Sequence, residues 1–173
     1  MSEPVPRAIP VTTTMIDAAT AKAQAMGAIN NSILSGRGNT AGFLGELAVA
    51  VLLGATLHST KDFDCVMTDG RTIDVKTKQT LYEPQMRYEG SVAATSLHQK
   101  CDIYVFTRVL WKSSAPTFVY VMGWITRQDF YMLARKLEMG DYDPSNRFVV
   151  KAACYNIQYS ELIDIGELGG GDV

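Results

Sequence analysis

The chain has 173 residues, of which 47% are hydrophobic, 16 basic and 18 acidic, for a formal net charge of −2 and a pI near 5.7. That length supports one buried core with little left over, so residues 1–173 are read as a single domain, and the charge excludes a histone-like polycation that binds polyanions through its overall field. No apolar run approaches the ~20 residues of a membrane span, and Met1-Ser2-Glu3-Pro4 lacks a signal peptide's basic and apolar regions, so an unexported cytoplasmic protein without a membrane partner is expected.

Residues 1–11 hold three prolines and no periodic pattern, which predicts an extended or disordered arm. Thr14 with Asp17 then resembles a capping box, and Met15, Ala19, Ala23, Met26, Ile29 and Ile33 recur at helical spacing. Ser35-Gly36-Arg37-Gly38-Asn39 breaks that helix. Asn39 or Thr40 can cap a second one ending at Gly54, apolar nearly all round except at Glu46 and therefore buried on most sides. Strands are predicted at 55–59, 63–67 and 71–78. Residues 80–100 are polar, with a hint of a short helix over Val92–Leu97. Two buried strands follow, Cys101–Leu110 and Thr117–Trp124, joined by a turn through Ser113–Pro116. Thr126 with Asp129 starts a third helix whose core stripe is Phe130, Leu133, Ala134 and Leu137, stopped by Gly140. A strand over 147–158, a short element near Glu161 and a flexible tail over 166–173 complete the pattern. Cys65, Cys101 and Cys154 are odd in number and sit in apolar runs, as buried reduced thiols do.

The segment from Asp64 to Lys76 concentrates the chemistry. Asp69-Gly70 is a turn signal between two β-prone runs, so a hairpin is expected. Along its second strand Ile73 and Val75 point to the core, and Asp74, Lys76 and Lys78 to the other face. A three-residue loop, Thr68 to Gly70 with Gly70 left-handed, sets Asp64 opposite Asp74, whereas a two-residue turn sets Cys65 there. Two adjacent carboxylates raise one another's pKa, and a cation relieves the repulsion; oxygen-only ligands with open positions suit Mg²⁺ or Mn²⁺ better than zinc. Lys76 on the same face can hold an attacking water or stabilise charge developing on a phosphate. Glu46 adds a third acid, in a costly place unless it meets a partner.

Glu46 in an apolar helix, then Asp64, then Asp74-Val75-Lys76 resembles the PD-(D/E)xK nuclease superfamily in order, spacing and placement. The resemblance covers roughly residues 40–110. It implies an α/β (α+β) fold with a restriction-endonuclease-like core, a mixed central β-sheet flanked by helices, in the order helix, three strands, helix, strand. It further implies that Asp64, Asp74 and the Val75 carbonyl ligate Mg²⁺, that Glu46 contacts a second metal or its water, and that Lys76 is the catalytic lysine. The implied reaction is hydrolysis of a DNA phosphodiester by an endonuclease or resolvase-like enzyme, with a homodimer or higher oligomer supplying paired active sites. The chain departs from the pattern at Phe63, where proline is common, and at Glu83, which replaces the tyrosine of the exonuclease-type QxxxY motif. Three unclustered cysteines exclude the iron–sulfur variant.

Plainer readings stand beside these. Asp62 competes with Asp64 on the same strand face, Asp64 being closer to the turn. Glu46 can instead be a buried partner of Arg108 or Lys100. Lys78 and Gln79 either touch phosphate or are solvated. His58 and His98 are too isolated to act as bases. Tyr104, Phe106, Phe118, Tyr120 and Trp124 alternate along strands as core residues do. Arg127, Arg135, Lys136, Arg147 and Lys151 form either a basic stripe for DNA or an ordinary mixed surface. The functional rivals are a catalytically inactive nucleic-acid-binding module on a nuclease fold and a structural protein in which the acids form salt bridges.

Overall fold

The computed structural model describes residues 2–26, 37–58 and 60–169. In chain order the elements are β1 (Arg7–Pro10), α1 (Thr13–Met26), α2 (Arg37–Leu53), β2 (Thr56–Leu57), β3 (Cys65–Val66), β4 (Thr72–Thr80) and β5 (Glu89–Ala93). After a 3₁₀ turn over Ala94–His98 come β6 (Ile103–Lys112), β7 (Ala115–Thr126), α3 (Arg127–Leu133), β8 (Arg135–Leu137), β9 (Tyr142–Asp143), β10 (Phe148–Val149) and β11 (Cys154–Gln158). A six-stranded sheet runs in the order β1-β7-β6-β4-β3-β2, and a second sheet in the order β5-β11-β8. Only the β4–β6 contact is parallel within the large sheet, so the molecule is mixed α/β of the α+β kind.

Both faces of the large sheet are covered. Val49 and Ala50 of α2 pack on Ile73, Val75, Ile103, Val105 and Val121, while α1 lays Met15, Ala19 and Ala23 against α2. The described part of the α1 apolar stripe is therefore used inside the fold; its continuation at Ile29 and Ile33 lies outside the described residues. On the opposite face Tyr104 and Phe106 meet Phe130, Val92, Ile157 and Tyr159 beneath the small sheet. Those aromatics are core, as their alternation implies, with Tyr104 and Phe130 rings 5.2 Å apart, edge to face.

Several local expectations are corrected. Residues 7–10 are an edge strand, pairing Arg7 with Val121 and Pro10 with Phe118, because an edge tolerates proline. Thr12, not Thr14, accepts the Met15 N–H at the start of α1. Helix α2 begins at Arg37, so Asn39 and Thr40 lie within it. The stretch Val92–Leu97 is the end of β5 and a 3₁₀ turn. Helix α3 is capped as expected, by the Thr126 hydroxyl accepting the Asp129 N–H, but stops at Leu133. Its continuation is β8, where pairing of Lys136 with Tyr155 overrides the helical spacing of Leu137. The strand expected over 147–158 is two strands, β10 and β11, separated by residues 150–153. The segment from 166 is no loose tail as far as it is described: Ile165 and Leu168 are buried, and Asp164 accepts the Gly166 N–H at 2.8 Å. Among the described residues no helix is long and apolar enough to cross a membrane.

Candidate active site

The hairpin has the longer loop. Met67 N–H donates to Arg71 O and Gly70 N–H to Met67 O, with Gly70 at φ 90°, a conformation that glycine adopts without cost. Thr68, Asp69 and Gly70 form the loop, and the ladder ends with Cys65 opposite Ile73. There β3 gives way to a side-chain contact: Asp64 N–H still reaches Ile73 O at 2.8 Å, but Val75 N–H donates to Asp64 Oδ2 at 2.7 Å. The N–H and C=O of one strand residue leave on the same side, so the Val75 carbonyl faces this edge beside Asp64.

Asp74 is buried and Lys76 half-buried, because β4 turns its polar face toward the aromatic core under the small sheet. Lys76 Nζ lies 2.7 Å from Asp74 Oδ2 and donates to Gln99 Oε1 at 3.2 Å. Gln99 Nε2 in turn donates to Asp74 Oδ1 at 3.0 Å. Gln99 thus holds both catalytic candidates, from the turn entering β6. Asp74 Oδ2 is nonetheless a buried oxygen that accepts no hydrogen bond; its contact with Lys76 is an ion pair off hydrogen-bond geometry.

Glu46 comes from α2 and pairs with Lys22 of α1 at 3.2 Å, so neither Arg108 nor Lys100 is its partner. The helix gets close because of Gly45: a Cβ there would overlap the Thr77 and Thr107 hydroxyls, which bond each other at 2.8 Å. Burial raises the Glu46 carboxyl above its usual range, against the opposing pull of Lys22. Asp64 is pushed up to about 7, by burial first and then by the charges of Asp74 and Glu46. Burial also raises Asp74, opposed by Lys76 and Gln99. Three part-buried or buried carboxylates thus gather near two paired ammonium groups, Lys22 and Lys76.

That imbalance bears on whether a divalent cation fits. The donors are oxygen only, and burial raises all three acids, with neighbouring carboxylate charge adding to it at Asp64; both features suit Mg²⁺ or Mn²⁺. Among the described residues no three His, Cys, Asp or Glu side chains stand together as a ready-made cage, so the backbone carbonyl and water would complete the shell. Cys65 lies alongside, but burial and neighbouring charge push its thiol up to about 12, which keeps it protonated and a poor ligand.

The other candidates separate. Lys78 is half-buried and donates to Glu89 O at 3.2 Å, whereas Gln79 is exposed on the opposite side of β4. Asp62 accepts the Lys100 N–H at 3.2 Å and stands apart from the cluster. The basic stripe is partly spent on local pairs: Arg135 with Glu89 and Asp143, and Lys136 with Glu138. Sequence reasoning did not find Gln99 or Lys22. Each is a lone polar residue in an unremarkable context, brought in by long-range packing. Comparison of the chain with protein-family models and with curated proteins returns no match.

Proposed function

We propose that this protein is a Mg²⁺- or Mn²⁺-dependent nuclease that hydrolyses DNA phosphodiesters, built on a restriction-endonuclease-like core. The observation that carries the reading is Asp64 Oδ2 docked on the Val75 N–H at 2.7 Å, which holds the Asp64 carboxylate at the β4 edge next to Asp74, itself buried and paired with Lys76 at 2.7 Å. The order of α2, the β2–β3–β4 meander and a parallel β6 beside β4 agrees with that core. The connection into β6 uses β5 and a 3₁₀ turn where the resemblance implies an α-helix.

In this reading Asp64, Asp74 and the Val75 carbonyl would hold the cation, with Glu46 facing it from α2. The cation supplies Lewis acidity toward phosphate and water. Asp64 and Asp74 bring the charge that attracts it to this edge of the sheet. Lys76 would place its ammonium group beside the reacting phosphate and offset negative charge there. Gln99 keeps the lysine aligned with Asp74, and the buried aromatics beneath exclude bulk water.

A second reading draws on the closed ring of Asp74, Lys76 and Gln99, the form a purely structural ion pair takes. Incubating the protein with plasmid, linear and four-way-junction DNA in Mg²⁺, Mn²⁺ or EDTA separates the two. Cleavage that needs metal and disappears in Lys76→Ala, with DNA binding kept, is expected. No cleavage of any substrate in either metal would overturn the nuclease, and loss of stability alone in Lys76→Ala would favour the structural ring.

A further inference from the structure

Beyond the carboxylate cluster, the polar face of β4 continues to Lys78, which stands beside Arg108 of the parallel strand β6. Lys78 Nζ and Arg108 Nη2 both donate to one acceptor, the Glu89 main-chain carbonyl, at 3.2 and 3.1 Å. Arg108 Nε donates to the Tyr159 hydroxyl at 2.9 Å. Among the described residues neither cation forms a salt bridge, so two half-buried positive groups share neutral partners.

The nearest carboxylate is already taken. Glu89 receives Arg135 on both oxygens, and Asn146 and Asn156 on Oε2. Asp143 shares the same Arg135 and Asn146. With Arg87 at the rim, four cations meet two carboxylates, and the excess is positive. Burial and then the charge of Arg108 lower the Lys78 ammonium to about 8, despite the opposing pull of Glu89. Like charges left together in a partly desolvated place are costly unless an anion joins them.

Arg108 opens onto a cleft of about 510 Å³ that Arg87, Tyr88, Asn146 and Gln158 also line, together with Ser145 and the already paired Glu89. Its volume falls within the range of small-molecule sites, about 300–1,000 Å³. Guanidinium, amide and phenol groups around such a space match a phosphoryl group joined to a sugar and base. Lys78 lies two residues past Lys76 on the same face, about 7 Å along the strand, roughly one nucleotide's length from the candidate scissile position.

We infer that this cleft is a phosphate subsite for a nucleotide unit, in which Arg87 and Arg108 contact the phosphoryl group and Lys78 supports its charge from beneath. The inference rests on the nuclease reading for the ligand class, but its binding test does not depend on cleavage. The ligand is either a free nucleotide or a unit of a nucleic-acid strand.

Binding of inorganic phosphate, a deoxynucleoside 5′-monophosphate and a short single-stranded oligodeoxynucleotide would be measured in EDTA, by calorimetry and fluorescence anisotropy. We expect the oligonucleotide to bind, with the affinity lowered about tenfold or more in Lys78→Met and restored in Lys78→Arg, and lowered in Arg87→Ala, an exposed position that leaves the fold intact. Mononucleotide binding with the same variant pattern supports a free-nucleotide source; oligonucleotide binding alone supports a strand. Unchanged affinity in both Lys78→Met and Arg87→Ala overturns the subsite, as does binding of inorganic phosphate alone or of none of the three. Variant-sensitive binding without metal-dependent cleavage counts against the nuclease only, and cleavage with variant-insensitive binding counts against the subsite only.

Discussion

At the scale of single residues, Asp64 is where geometry and charge meet. Its folded-state pKa, about 7, lies above the unfolded value of 3.8, so the folded chain binds more protons than the unfolded one between those values. Stability is then highest at the acid end of that window and falls as pH rises through it. Glu46 and Asp74 are raised too and act in the same direction. In EDTA, melting temperatures across the window should decline with pH, and Asp64→Asn should flatten the decline while keeping an acceptor for Val75 N–H. Added Mg²⁺ should raise the melting temperature most at the alkaline end, where the carboxylates are ionised. A melting temperature that climbs with pH in EDTA would contradict the burial-driven rise of the three acids.

At the scale of elements, much of the site's backbone was legible because local rules agreed with one another. The Asp69-Gly70 turn and the alternation through Ile73 and Val75 located the hairpin and its faces but left two loop lengths open, and the hairpin has the longer one. Where local and long-range preferences disagree, the sequence misleads: prolines hid β1, and helical spacing through Leu137 hid β8, since both strands exist only by pairing with distant partners. Gln99 and Lys22 were hidden for the same reason. Gly45 and Gly42 of α2 turn this into a paired measurement. A Cβ at Gly45 meets the Thr77 and Thr107 hydroxyls, whereas one at Gly42 meets nothing within 4 Å. Gly45→Ala should cost about 1–3 kcal/mol by forcing α2 off the sheet, and Gly42→Ala should add about 0.4–1 kcal/mol through helix propensity and a less flexible unfolded chain. Urea denaturation of the two variants checks both signs, and equal effects would show that α2 is not held where Gly45 puts it.

At the scale of the whole molecule, the first residues and the last described ones are tied together across the sheet. Strand β1 covers the outer edge of β7 over four pairs, Arg7 with Val121 through Pro10 with Phe118. Just before it, Val5 N–H donates to Asp164 Oδ2 at 2.8 Å, and Arg7 Nη2 lies 3.8 Å from Asp164 Oδ1. Asp164 is held below its ordinary value chiefly by the Val5 and Gly166 N–H groups, and Trp124 Nε1 donates to its carbonyl at 3.0 Å. One aspartate thus joins β1, β7 and the segment that packs Ile165 and Leu168 against α2 and the sheet. An unstructured arm would be dispensable; this one should not be. Deleting residues 2–10 removes the β1 ladder and the Val5 contact together, for a loss on the order of 2–4 kcal/mol at about 1 kcal/mol per hydrogen bond. At about 2–4 °C per kcal/mol for a chain of this size the melting temperature should fall visibly. Amide exchange should quicken along the β7 edge and at Ile165 and Leu168 in the same variant, because losing Asp164's partner loosens both. Loss of protection at β7 with none at Ile165 would mean that the two ends are stabilised separately, and an unchanged melting temperature would return residues 2–10 to the status of an arm.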